Sequence, residues 1–258
     1  MPSAIRVGTV ADWEPAGNLM LTPLKVDSFS MTRLSGALFD LGLSTLDRES
    51  LAAMAIVRRA VKAGEPLFRQ GEHLVALYEV RAGSFKTTIA PEDGRDQIAG
   101  FQIVGDLLGL DSIGSERHTV EAVALEDAQV WVVPFASLET MSMKSADFQH
   151  AFHKIMGREI SANREMMLLL GSMHAEAKLA AFLLDLTGRM QARGFSASAV
   201  NLRMSRQEIG SYLGLTLETV SRLFSKLHRN GTLLVRQRDV RVRDVVALRR
   251  IVSEGASG

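Results

Sequence analysis

Glu218, Ser221 and Arg222 fall at i, i+3 and i+4, the spacing that places three side chains on one face of a helix. Their chemistry suits the edges of base pairs. A guanidinium donates two parallel hydrogen bonds to O6 and N7 of guanine, a carboxylate one turn earlier accepts from cytosine N4, and a serine hydroxyl serves a neighbouring base. Polar and basic residues on either side, Ser205, Arg206, Thr216, Thr219, Lys226, Arg236 and Arg238, are read as contacts to the phosphate backbone. Such contacts fix register without reading sequence.

Other chemistries lack their residues. The chain has no cysteine, which excludes disulfides, thiolate zinc sites, cysteine nucleophiles and cysteine-ligated iron-sulfur clusters. His73, His118, His150, His153, His174 and His228 are the available imidazoles; His150 and His153 share a helix face, but no second motif completes a metal site. Neither a Gly-x-Ser-x-Gly elbow nor a phosphate-cradling glycine loop occurs. The expectation is therefore no catalytic residue, no metal, no cofactor and no enzymatic activity.

Two helices and a tight turn must hold the trio. Ser205 and Glu208 are spaced as a capping box, Gly214 permits a sharp turn, Thr216 can cap a second helix, and Asn230-Gly231 closes it. Ile209, Leu213, Leu215, Val220, Leu223 and Leu227 supply an inner face, leaving Glu218, Ser221, Arg222 and Lys226 outward. Leu233-Leu234-Val235 and Val240-Arg241-Val242 then flank Arg236-Gln237-Arg238-Asp239 as a basic hairpin wing. Each of Arg236, Arg238, Arg241 and Arg243 is either a solvated cation or a phosphate contact; the cluster favours contact. Charge follows the same division, with 14 Lys and Arg against 7 Asp and Glu in residues 172–258, and 16 against 22 before them. A basic module attached to an acidic one suits nucleic-acid binding joined to sensing or assembly.

Upstream, residues 1–40 show no sustained period and read as a partly ordered arm. Ser44-x-x-Asp47 followed by Leu51, Met54 and Val57 predicts an amphipathic helix that ends at Lys62-Ala63-Gly64. Short β-rich runs punctuated by glycines over residues 64–134 suit a small barrel or roll, with Leu77–Val80 and Val130–Val133 the clearest strands. Pro91–Asp96 reads as an exposed hairpin tip, either a solvated turn or a partner contact. From about Phe135 to Met173 the pattern predicts one long helix, apolar on more than one face. Phe152, Ile155, Ile160, Met167 and Leu170 are its candidates for a seam with a second copy. Met166-Met167 reads as packing, not as a ligand box. At 258 residues and 47% hydrophobic composition, two soluble domains and a cytoplasmic location are expected, without a membrane span or secretion signal.

Glu218-x-x-Ser221-Arg222 resembles the DNA-binding signature of the CRP/FNR family, specifically its FNR/FixK type. The likeness extends from about Leu43 to Leu248 through Gly64-Glu65-Pro66-Leu67-Phe68-x-x-Gly71-Glu72, Gly100-Phe101-x-x-x-Gly105-Asp106-Leu107-x-Gly109 and Leu179-Ala180-Ala181-Phe182-Leu183. It implies an α+β chain: arm 1–40, a cyclic-nucleotide-binding-type β-roll over 41–147, a long dimerisation helix over 148–173, and a winged helix-turn-helix over 174–258. The implied protein is a homodimeric regulator, chiefly an activator, of double-stranded DNA carrying half-sites similar to TTGAT and ATCAA. The implied RNA polymerase contact is the hairpin tip at Asp93, Gly94 and Arg95, although Arg95 replaces an acidic residue common there.

The chain departs from that family in two places. Oxygen-sensing members hold a cluster on cysteines, and Trp131 stands where the roll cysteine is expected. Nucleotide-binding members pair Gly-Glu with Arg-Ser or Arg-Thr; here Gly105-Asp106 and Arg117-His118-Thr119 are a degraded echo. A regulator answering to cAMP or cyclic di-GMP is the alternative function.

Overall fold

Strand Ala76–Ala82 is buried along most of its length because both of its faces are covered. It belongs to a nine-stranded roll in the computed structural model, which describes residues 21–23, 54–89 and 97–255. In chain order the strands are β1 (Leu21–Pro23), β2 (Val57–Val61), β3 (Pro66–Phe68), β4 (Ala76–Ala82), β5 (Phe85–Ile89), β6 (Gln97–Gln102), β7 (Leu107–Leu108), β8 (Glu121–Ala124) and β9 (Ala128–Pro134). One sheet runs β1-β2-β9-β4-β7 and the other β3-β8-β5-β6.

Alternation along the strands decides which side chains meet. Tyr78, Val80, Val130 and Val132 point between the sheets, where they join Leu67, Phe68, Phe85 and Leu108. Leu77, Trp131 and Val133 point the other way and pack against helical residues. Helix α1 (Phe135–Lys144) contributes Leu138 and Met141 to that second core, and helix α2 (Ala146–Ser172) contributes Phe148, Phe152 and Ile155.

Two sequence expectations need correction. The helix foreseen from Ser44 to Gly64 does not extend through Val57–Val61, which is strand β2, paired antiparallel with β9 from Val57↔Val132 to Val61↔Ala128. Leu51, Met54 and Val57 have helical spacing, but Ala55 takes φ 50°, which ends any helix there, and the valines at both ends of β2 suit a pleated sheet. Residues 44–53 lie outside the described residues. Nor is the segment from Phe135 to Met173 one helix. Ser145 is extended (φ −136°, ψ 112°), separating α1 from α2, and its hydroxyl accepts from the Phe148 N–H at 3.2 Å. Serine competes with the helix for backbone hydrogen bonds and so makes a good break.

Within the arm, Leu21–Pro23 pairs with β2 as an edge strand, an element that the arm's composition did not reveal. The chain divides into two compact units, Met1–Thr87 with Phe101–Gly157 and Thr88–Gly100 with Arg158–Gly258, so one division falls inside α2. Beyond α2 come α3 (Ala175–Ala192), β10 (Ala199–Asn201), α4 (Arg206–Leu213), α5 (Leu217–Arg229), β11 (Leu233–Arg236), β12 (Asp239–Val242) and α6 (Val245–Gly255). The three strands form a sheet ordered β10-β12-β11. Helix α6 lays Ile251 and Val252 on Met173, Ala177 and Ala181. No helix among the described residues is long and apolar enough to cross a membrane.

Candidate nucleic-acid interface

The Ser205 hydroxyl accepts from the Glu208 N–H at 3.1 Å, and the Glu208 carboxylate accepts from the Ser205 N–H at 2.7 Å, so the capping box of α4 is complete. Gly214 follows α4 in the left-handed conformation (φ 66°), and the Leu215 N–H donates back to the Gly210 carbonyl at 2.8 Å. Gly210 is equally constrained: a Cβ there would lie 2.6 Å from the Leu215 carbonyl oxygen. Thr216 then caps α5 by accepting from the Thr219 N–H at 3.2 Å.

Helix α5 buries one stripe and exposes the other. Val220, Phe224 and Leu227 are buried with Ile209 and Leu213 of α4, while Leu215 and Leu223 are half-buried. Phe224, four residues after Val220 and absent from the inner face expected from the sequence, completes this core. Glu218, Ser221 and Arg222 are all exposed on the opposite stripe. Arg222 is also oriented: its Nη2 donates to the Thr219 Oγ1 at 3.4 Å, and that hydroxyl lies 3.1 Å from Thr216 Oγ1. The cap thus extends, residue by residue, to the guanidinium. Glu218 in the first turn and Lys226 and Arg229 in the last complement the helix dipole.

The wing is held against both helices. Strands β11 and β12 pair from Leu233↔Val242 to Arg236↔Asp239, leaving Gln237 (φ 55°) and Arg238 at the tip. His228 Nδ1 accepts from the Val235 N–H at 3.2 Å, joining the end of α5 to β11. Arg206 reaches the wing from α4, donating to the Gln237 carbonyl at 3.4 Å. Its guanidinium also lies 3.3 Å from the centroid of the Phe224 ring. Burial brings its pKa down to about 10, still charged at neutral pH. Arg206 therefore braces α4, α5 and the wing. Arg236, Arg238, Arg241 and Arg243 are exposed. Lys226, on the rim of the α5 face, donates to Glu176 of α3 at 2.6 Å, a partner 50 residues away that no local spacing reveals.

On α2 the seam candidates separate. Phe152 and Ile155 are buried against the roll of their own chain, whereas Ile160 and Met167 are 69% and 74% exposed. The side chain of Leu170 lies outside the described residues, as do Asp93, Gly94 and Arg95. Among the described residues no group of three His, Cys, Asp or Glu gathers as a metal site.

In the roll, the residues of the degraded nucleotide motif are each engaged by other residues of the roll. An Asp106 carboxylate oxygen accepts from the Ile103 N–H at 2.8 Å. Arg117 donates to the Gly71 carbonyl at 2.8 Å and lies 3.0 Å from His73 Nε2. Thr119 donates to Asp111. His118 is buried, stacked on Phe68 at 3.7 Å between centroids, with Nδ1 2.9 Å from the Ser112 hydroxyl. Burial lowers its pKa, while Asp111 and Glu72 oppose that shift. Trp131 carries the Arg81 guanidinium 4.2 Å from its ring, and Arg81 pairs at 2.7 Å with the fully buried Glu79. The signal for that pair was a Glu and an Arg two apart on one face of an otherwise apolar strand.

Comparison with known proteins gives concordant matches. Residues 58–145 match the cyclic nucleotide-binding domain, and residues 177–251 match the Crp-like helix-turn-helix domain. The chain is 40% identical over 213 residues to the transcriptional regulatory protein btr of Bordetella pertussis, covering 83% of this chain and 88% of that one. It is 40% identical over 215 residues to the transcriptional activator protein FnrA of Stutzerimonas stutzeri, again covering 83% and 88%. The solved structure of FixK2 from Bradyrhizobium japonicum matches with a TM-score of 0.70 at 32% identity, over 76% of this chain and 96% of that one.

Proposed function

The chain belongs to the CRP/FNR family of DNA-binding transcription regulators, and from that premise we propose that it works as a homodimeric activator reading palindromic half-sites similar to TTGAT and ATCAA. Its family consists of transcription regulators, not enzymes. The observation that carries the proposal is the capped helix α5, which buries Val220, Phe224 and Leu227 and turns Glu218, Ser221 and Arg222 outward together. Glu218 and Arg222 read the G·C pair and Ser221 a neighbouring base. Ser205, Thr216 and Thr219 at the helix starts, with Arg236 and Arg238 on the wing, meet phosphates. Arg206 and Lys226 have partners inside the domain and serve to hold it.

Two copies associate through α2, where Ile160, Met167 and Leu168 are exposed while Phe148, Phe152 and Ile155 of the same helix pack on the roll. Paired recognition helices then enter successive major grooves about one helical turn apart. The β5–β6 hairpin faces RNA polymerase. DNA binding does not depend on cAMP or cyclic di-GMP, a reading supported by Arg117 and His118 being engaged by the roll itself. Fluorescence anisotropy with a duplex carrying both half-sites tests the proposal. Binding at least a hundredfold tighter than to a scrambled duplex, without added nucleotide, is expected; equal affinity for the two duplexes contradicts it.

A further inference from the structure

Lys226 stands four residues after Arg222, on the rim of the recognition face, and with Ser221, Arg222, Ser225 and Arg229 it lines a shallow concavity there. Its ammonium pairs with Glu176, 2.6 Å away, in the first turn of α3. The two ends differ in environment: the Lys226 side chain is 56% exposed, that of Glu176 only 18%. A carboxylate in the first turn of a helix is favoured by the dipole, so the charge of Glu176 is stabilised there independently of Lys226. The lysine is the more exposed partner.

Sequence-independent affinity for DNA scales with the number of phosphates neutralised, through the counterions released from the duplex. A cation already paired with a protein carboxylate releases none. We propose that Glu176 sets the sequence-independent part of DNA affinity: by occupying Lys226 it withholds one phosphate contact per protomer from any duplex, while Glu218, Ser221 and Arg222 supply the discrimination. This rests on the DNA-reading assignment above.

The test measures affinity against salt concentration for the palindromic and scrambled duplexes, using the full-length chain and its Glu176→Gln and Lys226→Gln variants. Glu176→Gln keeps an oxygen that accepts from Lys226 but removes the charge that retains it. The expected result is tighter binding to both duplexes, by about eightfold per freed contact at 0.1 M salt, and a log–log slope steeper by about 0.9 per contact. Lys226→Gln in the otherwise unchanged chain should leave the slope as it is, and Gln at both positions should restore it. A Lys226→Gln slope shallower by about 0.9 per protomer shows the lysine already on phosphate and overturns the proposal, even if Glu176→Gln fails to fold. Unchanged affinity and slope in a folded Glu176→Gln chain also overturn it. Loss of palindrome preference in the unsubstituted chain, by contrast, overturns the DNA-reading assignment and this inference with it.

Discussion

Arg222 presents a planar fork with one amino group steered by Thr219, and that geometry distinguishes it from any cation of equal charge. Arg222→Lys should weaken the palindromic site by about 1–3 kcal/mol while leaving scrambled DNA nearly unaffected, since the charge stays and the bidentate fork goes; anisotropy on both duplexes reads the difference. His118 makes a prediction of a different kind. Its folded-state pKa is lowered by burial, and an unfolded imidazole titrates near 6.5. Above that pH neither state takes up the proton and His118 has no effect; as pH falls through 6.5 the unfolded chain protonates first, so stability drops. Urea melts between about pH 7 and 5 should show the drop in the wild type and a flatter profile in His118→Phe. An identical pH profile in the two would contradict the burial argument. The recognition trio was legible because helical spacing and residue type coincide within five positions. Glu176 with Lys226, and Arg117 with Gly71, were not, because their partners are 50 and 46 residues distant and only the fold brings them together.

Elements with strong local signals were readable for the same reason. The capping box at Ser205, the turn at Gly214 and the wing between Leu233 and Val242 each rest on contacts within a few residues. Where a pattern fits two structures, tertiary pairing decides: Val57–Val61 joins β9 despite its helical spacing, and a lone Ser145 breaks a segment rich in helix formers. The turn between α4 and α5 tests this account of local geometry. Gly210→Ala places a Cβ against the backbone carbonyl oxygen of Leu215, whereas a Cβ at Gly214 meets nothing within 4 Å and adds only left-handed strain. Gly210→Ala should therefore cost about 1–3 kcal/mol and Gly214→Ala about 1–2 kcal/mol, with only the first displacing α5. Chemical denaturation ranks the two, and amide exchange in α5 shows which one moves it. Equal exchange in both variants would contradict the close approach at Gly210.

At the scale of the whole molecule, two properties follow from what the chain carries and where it is exposed. With no cysteine it has no thiolate to hold an iron-sulfur cluster, so DNA binding should be the same under strict anaerobiosis and in air. The proposed dimerisation through α2 predicts that Ile160→Glu, at an exposed apolar position, shifts the chain toward monomer in analytical ultracentrifugation. DNA affinity should fall with it, because two half-sites read by one dimer gain from effective concentration. A variant that dimerises like the wild type would place the seam elsewhere. The central claim, that α5 reads bases while the wing holds phosphate, is tested most directly by binding to every single-base variant of one half-site at two salt concentrations. Glu218→Ala should relax or switch preference at the G·C pair, at a cost of about 1–3 kcal/mol, while Arg236→Ala weakens all variants alike and flattens the salt dependence. If Glu218→Ala preserves the wild-type ranking of half-sites while Arg236→Ala reorders it, α5 is not the reading helix.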